Sequence, residues 1–151
     1  MRVSSRADYA LSCILRIAEK RDRTIPVTVR EVARQENIET DYVEQLFVIM
    51  KKAGILKSIR GKNGGYLLAA PADKITAKDV VKAIDKDVLD IVCYRKKGRK
   101  NKCVHLTACE IKSFWEGLKE NMELFLEKHT LEMLLKLRRN IKKLKLEGVK
   151  K

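Results

Sequence analysis

Apolar residues return at intervals of three and four through the first fifty positions of the chain. Ala10, Leu11, Ile14, Ile17 and Ala18 line one face of a helix that starts near Ser5, where Ser5 and Asp8 have the interval of a capping box. A second helix opens with the same device at Thr28 and Glu31 and carries Val29, Val32 and Ala33 inward. Asn37 offers a left-handed stop, and Thr40 is placed to cap a third helix whose inward face is Val43, Leu46, Phe47 and Met50, with Gly54 as its end signal. Two helices joined by a turn of a few residues predict a helix-turn-helix.

The period then changes from helical to short and extended. Ile55 to Ile59 and Tyr66 to Ala69 are apolar runs around Arg60-Gly61-Lys62-Asn63-Gly64-Gly65, which predicts a hairpin with an Asn-Gly turn, a wing in this setting. Thr76 and Asp79 cap a fourth helix with Val80, Val81 and Ile84. Ile111, Trp115, Leu118, Met122 and Phe125, spaced by four, three, four and three, form the seam of a long helix that packs on another. Since the preceding domain has its own core, that seam is expected to meet the same helix of a second chain. The expected fold is mainly α with a small β-hairpin wing. It comprises a winged helix-turn-helix domain at 1–85, a cysteine-containing sensor loop at 86–110, a dimerisation helix region at 111–135 and a basic C-terminal tail at 136–151.

With 151 residues, 45% hydrophobic and 36% charged, the chain can bury one core, with a second small one formed only with a partner. The stretch from Ala10 to Ala18 is interrupted by Ser12 and Arg16 and lacks a processing site, so no leader and no membrane contact are expected, and a cytoplasmic location is the default. Four cysteines in a reducing compartment read as free, metal-bound or redox-active. The net charge of +14 favours a polyanionic partner, but residues 1–70 hold 13 basic against 8 acidic side chains, a net +5. Larger excesses lie in the unopposed run Arg95, Lys96, Lys97, Arg99, Lys100 and Lys102 and in residues 136–151, where a solvated loop and a frayed tail are the plain alternative.

From Met1 to about Leu135 the chain resembles the Rrf-two family of bacterial winged-helix regulators, which includes the iron–sulfur cluster regulator and the nitric-oxide-sensitive repressor. The resemblance rests on Met1-Arg2-Val3-Ser4 with Asp8-Tyr9-Ala10-Leu11, on Tyr42-Val43-Glu44-Gln45-Leu46-Phe47, on Arg60-Gly61 followed by Gly64-Gly65-Tyr66-Leu67-Leu68, and on Cys109 ahead of Trp115. It implies a homodimer that binds double-stranded DNA at a palindromic operator.

On the reader, Thr40, Tyr42, Glu44 and Gln45 offer donors and acceptors for base edges in a major groove, with Tyr42 as readily a packing residue. Arg60 suits a narrow minor groove, while Lys62, Asn63 and the Gly64 amide suit phosphates, as do Thr28 and Arg30 at the start of the second helix. Cluster-binding members of the family resembled use three cysteines before the dimer helix, with five residues between each pair. That implies an iron–sulfur cluster, 2Fe-2S or 4Fe-4S, on Cys93, Cys103 and Cys109. Cys103 and Cys109 keep the interval, whereas nine residues separate Cys93 from Cys103. Where some members supply a histidine, Lys112 stands here. Others use a carboxylate near the start of the first helix, a position held by Asp8, which equally reads as a capping residue. His105 is a reserve ligand, and Cys13 falls on the core side of its helix. The alternatives are a structural zinc ion on the cysteines and His105, or no metal and a thiol switch whose thiolates the basic loop favours. An enzyme is not expected: no phosphate-cradling glycine motif and no nucleophile with a positioned base occur.

Overall fold

The computed structural model describes residues 4–20, 24–87 and 109–148. The elements run α1 (Ser5–Ala18), α2 (Val29–Glu36), α3 (Thr40–Lys52), β1 (Leu56–Ile59), β2 (Gly65–Leu68), α4 (Ala77–Asp85), α5 (Glu110–Lys128) and α6 (Leu131–Gly148). The helices predicted from periodicity are present, but two of their caps are shifted. Ser4, not Ser5, caps α1: its hydroxyl accepts from Ala7 N–H at 3.1 Å and donates to the Asp85 carboxylate at the end of α4. The cap of α3 is Glu39 rather than Thr40, and no side chain closes it. Thr28 caps α2 as expected, although Glu31 pairs with Lys20 at 2.8 Å instead of returning to the cap. Asn37 adopts the left-handed stop at φ 54°, and Thr76 with Asp79 makes a complete capping box.

β1 and β2 pair antiparallel, Leu56 opposite Leu68 and Ile59 opposite Gly65. The connection is therefore the five residues Arg60–Gly64 rather than a two-residue Asn-Gly turn, and it closes through Gly64 N–H to Gly61 O at 2.9 Å. A side chain is excluded at Gly64, where a Cβ would lie 2.4 Å from Ile59 O. Val27 pairs with Tyr66 on the free edge of β2, a contact that the sequence pattern did not reveal.

The core lies between α1, α3, α4 and the hairpin. Ile14, Val43, Phe47, Met50 and Val80 are fully buried, and Tyr66 meets Phe47 edge-on at 5.0 Å. Leu131 and Leu135 of α6 belong to the same cluster, each contributing about 2 kcal/mol relative to exposure. The expected boundary at residue 135 is crossed, because α6 continues to Gly148 and helix occupies positions read as a tail. The break at His129 and Thr130 follows from capping. Thr130 Oγ1 accepts from Met133 N–H at 3.3 Å, while Ala77 N–H to His129 O and Leu131 N–H to Ile75 O dock the junction beside the start of α4.

α5 is attached differently, with none of its residues buried. Lys78 reaches Glu127 at 2.8 Å and Glu123 at 3.3 Å, Lys82 reaches Glu123 at 3.1 Å, and Lys119 reaches Asp87 at 3.0 Å. The hydrogen bond from Lys82 holds the Glu123 carboxyl below its ordinary value of 4.5 against the opposing effect of burial, and Lys78 adds a smaller push in the same direction as Lys82. The folded value being depressed, this contribution is present above 4.5 and lost as pH falls through the folded value. Trp115, the single tryptophan, sits on α5 and reports its attachment. Its fluorescence should show an acid transition below 4.5 that weakens in Glu123→Gln and at high salt; superimposable curves for variant and parent would remove the ladder as the attachment.

Candidate nucleic-acid interface and sensor region

Three segments of the winged-helix domain carry the residues expected to meet DNA. Thr40, Glu44 and Gln45 are exposed on α3, and Thr28 and Arg30 are exposed at the start of α2. Arg60, Lys62 and Asn63 are exposed on the hairpin connection. Their backbone is well held and their side chains are exposed, that of Thr28 also capping α2 by accepting from Glu31 N–H at 3.2 Å. α3 is anchored through Val43, Leu46, Phe47 and Met50, and the hairpin is fastened to it by the Phe47–Tyr66 contact. A helix fixed by its apolar side presents the opposite side at constant orientation, as base reading requires.

Two expected roles change in the structure. The Gly64 amide closes the turn onto Gly61 O and so is not a free donor for phosphate; what Gly64 contributes is the missing Cβ that lets the loop fold tightly. Tyr42 is half-buried, its ring edge-on to Tyr9 of α1 at 5.8 Å, so it links α1 to α3. The sequence reading also passed over Asp41 and Val48, which are exposed and line a shallow depression on α3 with Glu44 and Gln45. The helical interval from Asp41 through Gln45 to Val48 is the signal that would have found them.

Of the expected metal ligands, Cys93 and Cys103 lie outside the described residues, as does the reserve ligand His105. Cys109 is a free, half-buried cysteine at the N-cap of α5. Asp8 is exposed in the first turn of α1, and among the described residues its carboxylate accepts no side-chain hydrogen bond. With Ser4 as the cap, Ala7 and not Asp8 holds the third position of α1, so the capping box weighed for Ser5 and Asp8 does not form. Among the described residues no three histidine, cysteine, aspartate or glutamate side chains gather into a metal site. Asp8 is nevertheless only one turn beyond Ser4, which is bonded to Asp85, close to where the chain enters the cysteine-bearing segment.

Cys13 is in the core as expected. Burial first, and then the Glu36 carboxylate, push its thiol up to about 12, with Arg16 opposing. The raised value keeps the thiol protonated at neutral pH, so an alkylating reagent should leave Cys13 unmodified in the native protein and label it after denaturation in urea. Mass analysis of the peptide containing Cys13 checks this, and rapid native labelling would overturn the buried placement.

These elements define a winged helix-turn-helix protein of the transcription-regulator class. Residues 3–137 match the family model Rrf2, the iron-dependent transcriptional regulators. The IscR regulator of Xenorhabdus nematophila is 33% identical over 136 residues, which cover 90% of this chain and 80% of that protein. An HTH-type transcriptional regulator of Haemophilus influenzae is 33% identical over 143 residues, 95% of this chain and 91% of that one. Among solved structures, CymR, the global cysteine regulator of B. subtilis, superposes with a TM-score of 0.71 at 25% identity, covering 91% of this chain and 98% of CymR. T. potens IscR superposes at 0.67 with 27% identity, covering 90% and 87%. The chain belongs to the Rrf2 family of transcriptional regulators, whose members bind DNA.

Proposed function

We propose that the protein is a homodimeric regulator that reads a palindromic operator in double-stranded DNA and changes its DNA affinity through an iron–sulfur cluster. The observation that carries the dimer is the division of labour on α5. Ion pairs tie it to α4, whereas Ile111 is 63% exposed, Phe114 65% and Phe125 62%, beside the half-buried Leu118 and Met122. A seam of that composition is stable in water only when covered, and a second copy of the same helix covers it symmetrically. Phe114 adds a position to the seam that the sequence spacing had passed over. The two-fold symmetry of such a dimer is what a palindromic operator mirrors.

On the DNA, Gln45 and Glu44 face base edges, with Thr40 and Tyr42 at the flank of the same helix. Val48 is an apolar surface of the kind that meets a thymine methyl. Arg60 enters the minor groove, and Lys62, Asn63, Thr28 and Arg30 hold phosphates. The reader assignment predicts that Gln45→Ala and Arg60→Ala each weaken binding to a duplex selected from random DNA by about 1–3 kcal/mol while leaving the dimer intact. Equal affinity of both variants and the parent for that duplex would sink it.

For the sensor, the donor set fits an iron–sulfur centre: Cys93, Cys103 and Cys109 supply soft sulfur, and Asp8 supplies a hard, exchangeable oxygen. When bound, the cluster supplies a link between the cysteine segment and the protein that oxidants, nitric oxide or iron depletion can break. Cys109 holds the start of α5, and Asp8 precedes Tyr9, whose ring rests on Tyr42 of α3, so both candidate ligands adjoin parts that set DNA reading. No helix among the described residues is long and apolar enough to cross a membrane, and we place the regulator in the reducing cytoplasm.

A second reading is favoured by the nine-residue interval between Cys93 and Cys103 and by the likeness to CymR, a cysteine regulator: the same dimer without a cluster, its cysteines a thiol switch or zinc ligands. Protein purified without oxygen separates the two. Broad visible absorption with matching iron and acid-labile sulfide, lost in Cys109→Ala, is the expected result. A colourless protein that cannot be reconstituted leaves the DNA reader standing and makes the second reading the function.

A further inference from the structure

A cluster of four charged side chains joins α6 to the helix-turn-helix. Glu36 is the last residue of α2, and its Oε1 accepts hydrogen bonds from Arg16 Nε on α1 and from Arg138 Nη2 on α6, the latter at 2.8 Å. Arg16 and Arg138 also approach Glu19, at 3.2 and 3.7 Å. The four side chains keep only 13–22% of their surface exposed, so the cluster is largely out of water. Arg138 Nη1 is buried without a partner among the described residues. A largely desolvated ion cluster is held to one geometry more strictly than a surface pair, because its charged groups have little water to turn to.

The cluster's place in the fold gives it a role. Asn37 follows Glu36 in the left-handed conformation, and α3 begins at Thr40. α3 is oriented mainly by its own buried residues, and the short turn Asn37–Glu39, tied back by Ile38 N–H to Ala33 O at 3.0 Å, joins its first residue to the end of α2, so what holds that end bears on the start of α3. On the other side, α6 follows α5 after two residues, and Arg138 stands about two turns beyond Leu131, where α6 is docked. A shift of α5 reaches Arg138 through the helix that Arg138 belongs to. An ion cluster suits such a joint because its hydrogen bonds have a required direction, whereas the apolar contacts of Leu131 and Leu135 tolerate small slides.

We propose that Glu36 and Arg138 are positioning residues for DNA reading. The Arg16–Glu36–Arg138 clamp sets the end of α2, and with it the presentation of α3, according to where α6 lies. The proposal rests on the reading of α3 as the base-reading helix.

The test compares two duplexes of equal length with the full-length protein: one selected by the unmodified protein from random sequence, one unrelated. Arg138→Met should lower affinity for the selected duplex about tenfold and leave the unrelated duplex and its salt dependence unchanged. Arg138→Lys, which keeps a donor, should recover part of the loss. If Arg138→Met loses helix content, Glu36→Gln is read in its place with the same expected loss of selectivity. Full affinity of these variants for the selected duplex, or equal losses on both duplexes, would overturn the clamp. Gln45→Ala measured beside them separates the assumptions: loss of selectivity there with none in Arg138→Met overturns the clamp alone, whereas intact selectivity in Gln45→Ala removes α3 as reader and the clamp with it.

Discussion

The chain leaves its winged-helix domain after α4 and has to return to it, because Leu131 and Leu135 at the start of α6 are buried in the same apolar cluster as Ile14, Phe47 and Val80. Backbone hydrogen bonds from Leu131 to Ile75 and from Ala77 to His129 fix the point of return beside the first residues of α4. Much else depends on that docking. It anchors the C-terminal end of α5, ends that helix at His129, and sets the direction in which α6 runs past α1 towards Arg16 and Glu36. Removing the two leucines from the core would release α5 and α6 from the winged-helix domain.

With its end anchored, α5 divides its surface unequally. Lysines of α4 and acids of α5 face one another, and ion pairs at that degree of exposure contribute little net stability but do orient the helix. The apolar side chains of α5 do not join the domain's core, which α6 has already completed. Ile111, Phe114 and Phe125 are left exposed beside the half-buried Trp115, Leu118 and Met122, and this is why the dimer proposal follows from a single chain. The same arrangement places Cys109 at the first turn of α5, so whatever binds the cysteine segment acts on the helix that we propose joins the two protomers.

The reader side is built for constancy. α3 is buried along Val43, Leu46, Phe47 and Met50, and Tyr66 holds the hairpin against Phe47. Gly64 lets the connection turn where a Cβ would strike the Ile59 carbonyl, and Val27 pairs with the outer edge of β2, so the wing is paired on both sides at Tyr66. Two specific contacts adjoin the start of α3: the Tyr9–Tyr42 edge contact and the Glu36 cluster just before it.

What was legible in the sequence is what short-range spacing decides. Helical periodicity located α1 to α4, the Thr76–Asp79 box and the Asn37 stop were readable as local hydrogen-bonding chemistry, and the hairpin followed from two apolar runs around glycines. The order of the motifs carried the family, and the helical pattern of α3 told which of its polar positions are exposed. Local rules were less secure where neighbouring residues compete for one role, as Ser4 and Ser5 did for a cap, or where Asn63 and Gly64 sit within a longer connection rather than forming the turn alone. The tertiary structure decided what spans many residues. Leu131 and Leu135 read as part of the dimerisation helix region until the return of the chain places them in the core, and Arg138 looks like one more charge in a basic tail until α6 brings it to Glu36, 102 positions earlier in the chain. Both depend on the energy of burying groups that are distant in sequence, and no periodicity along the chain records which distant groups will share one desolvated space.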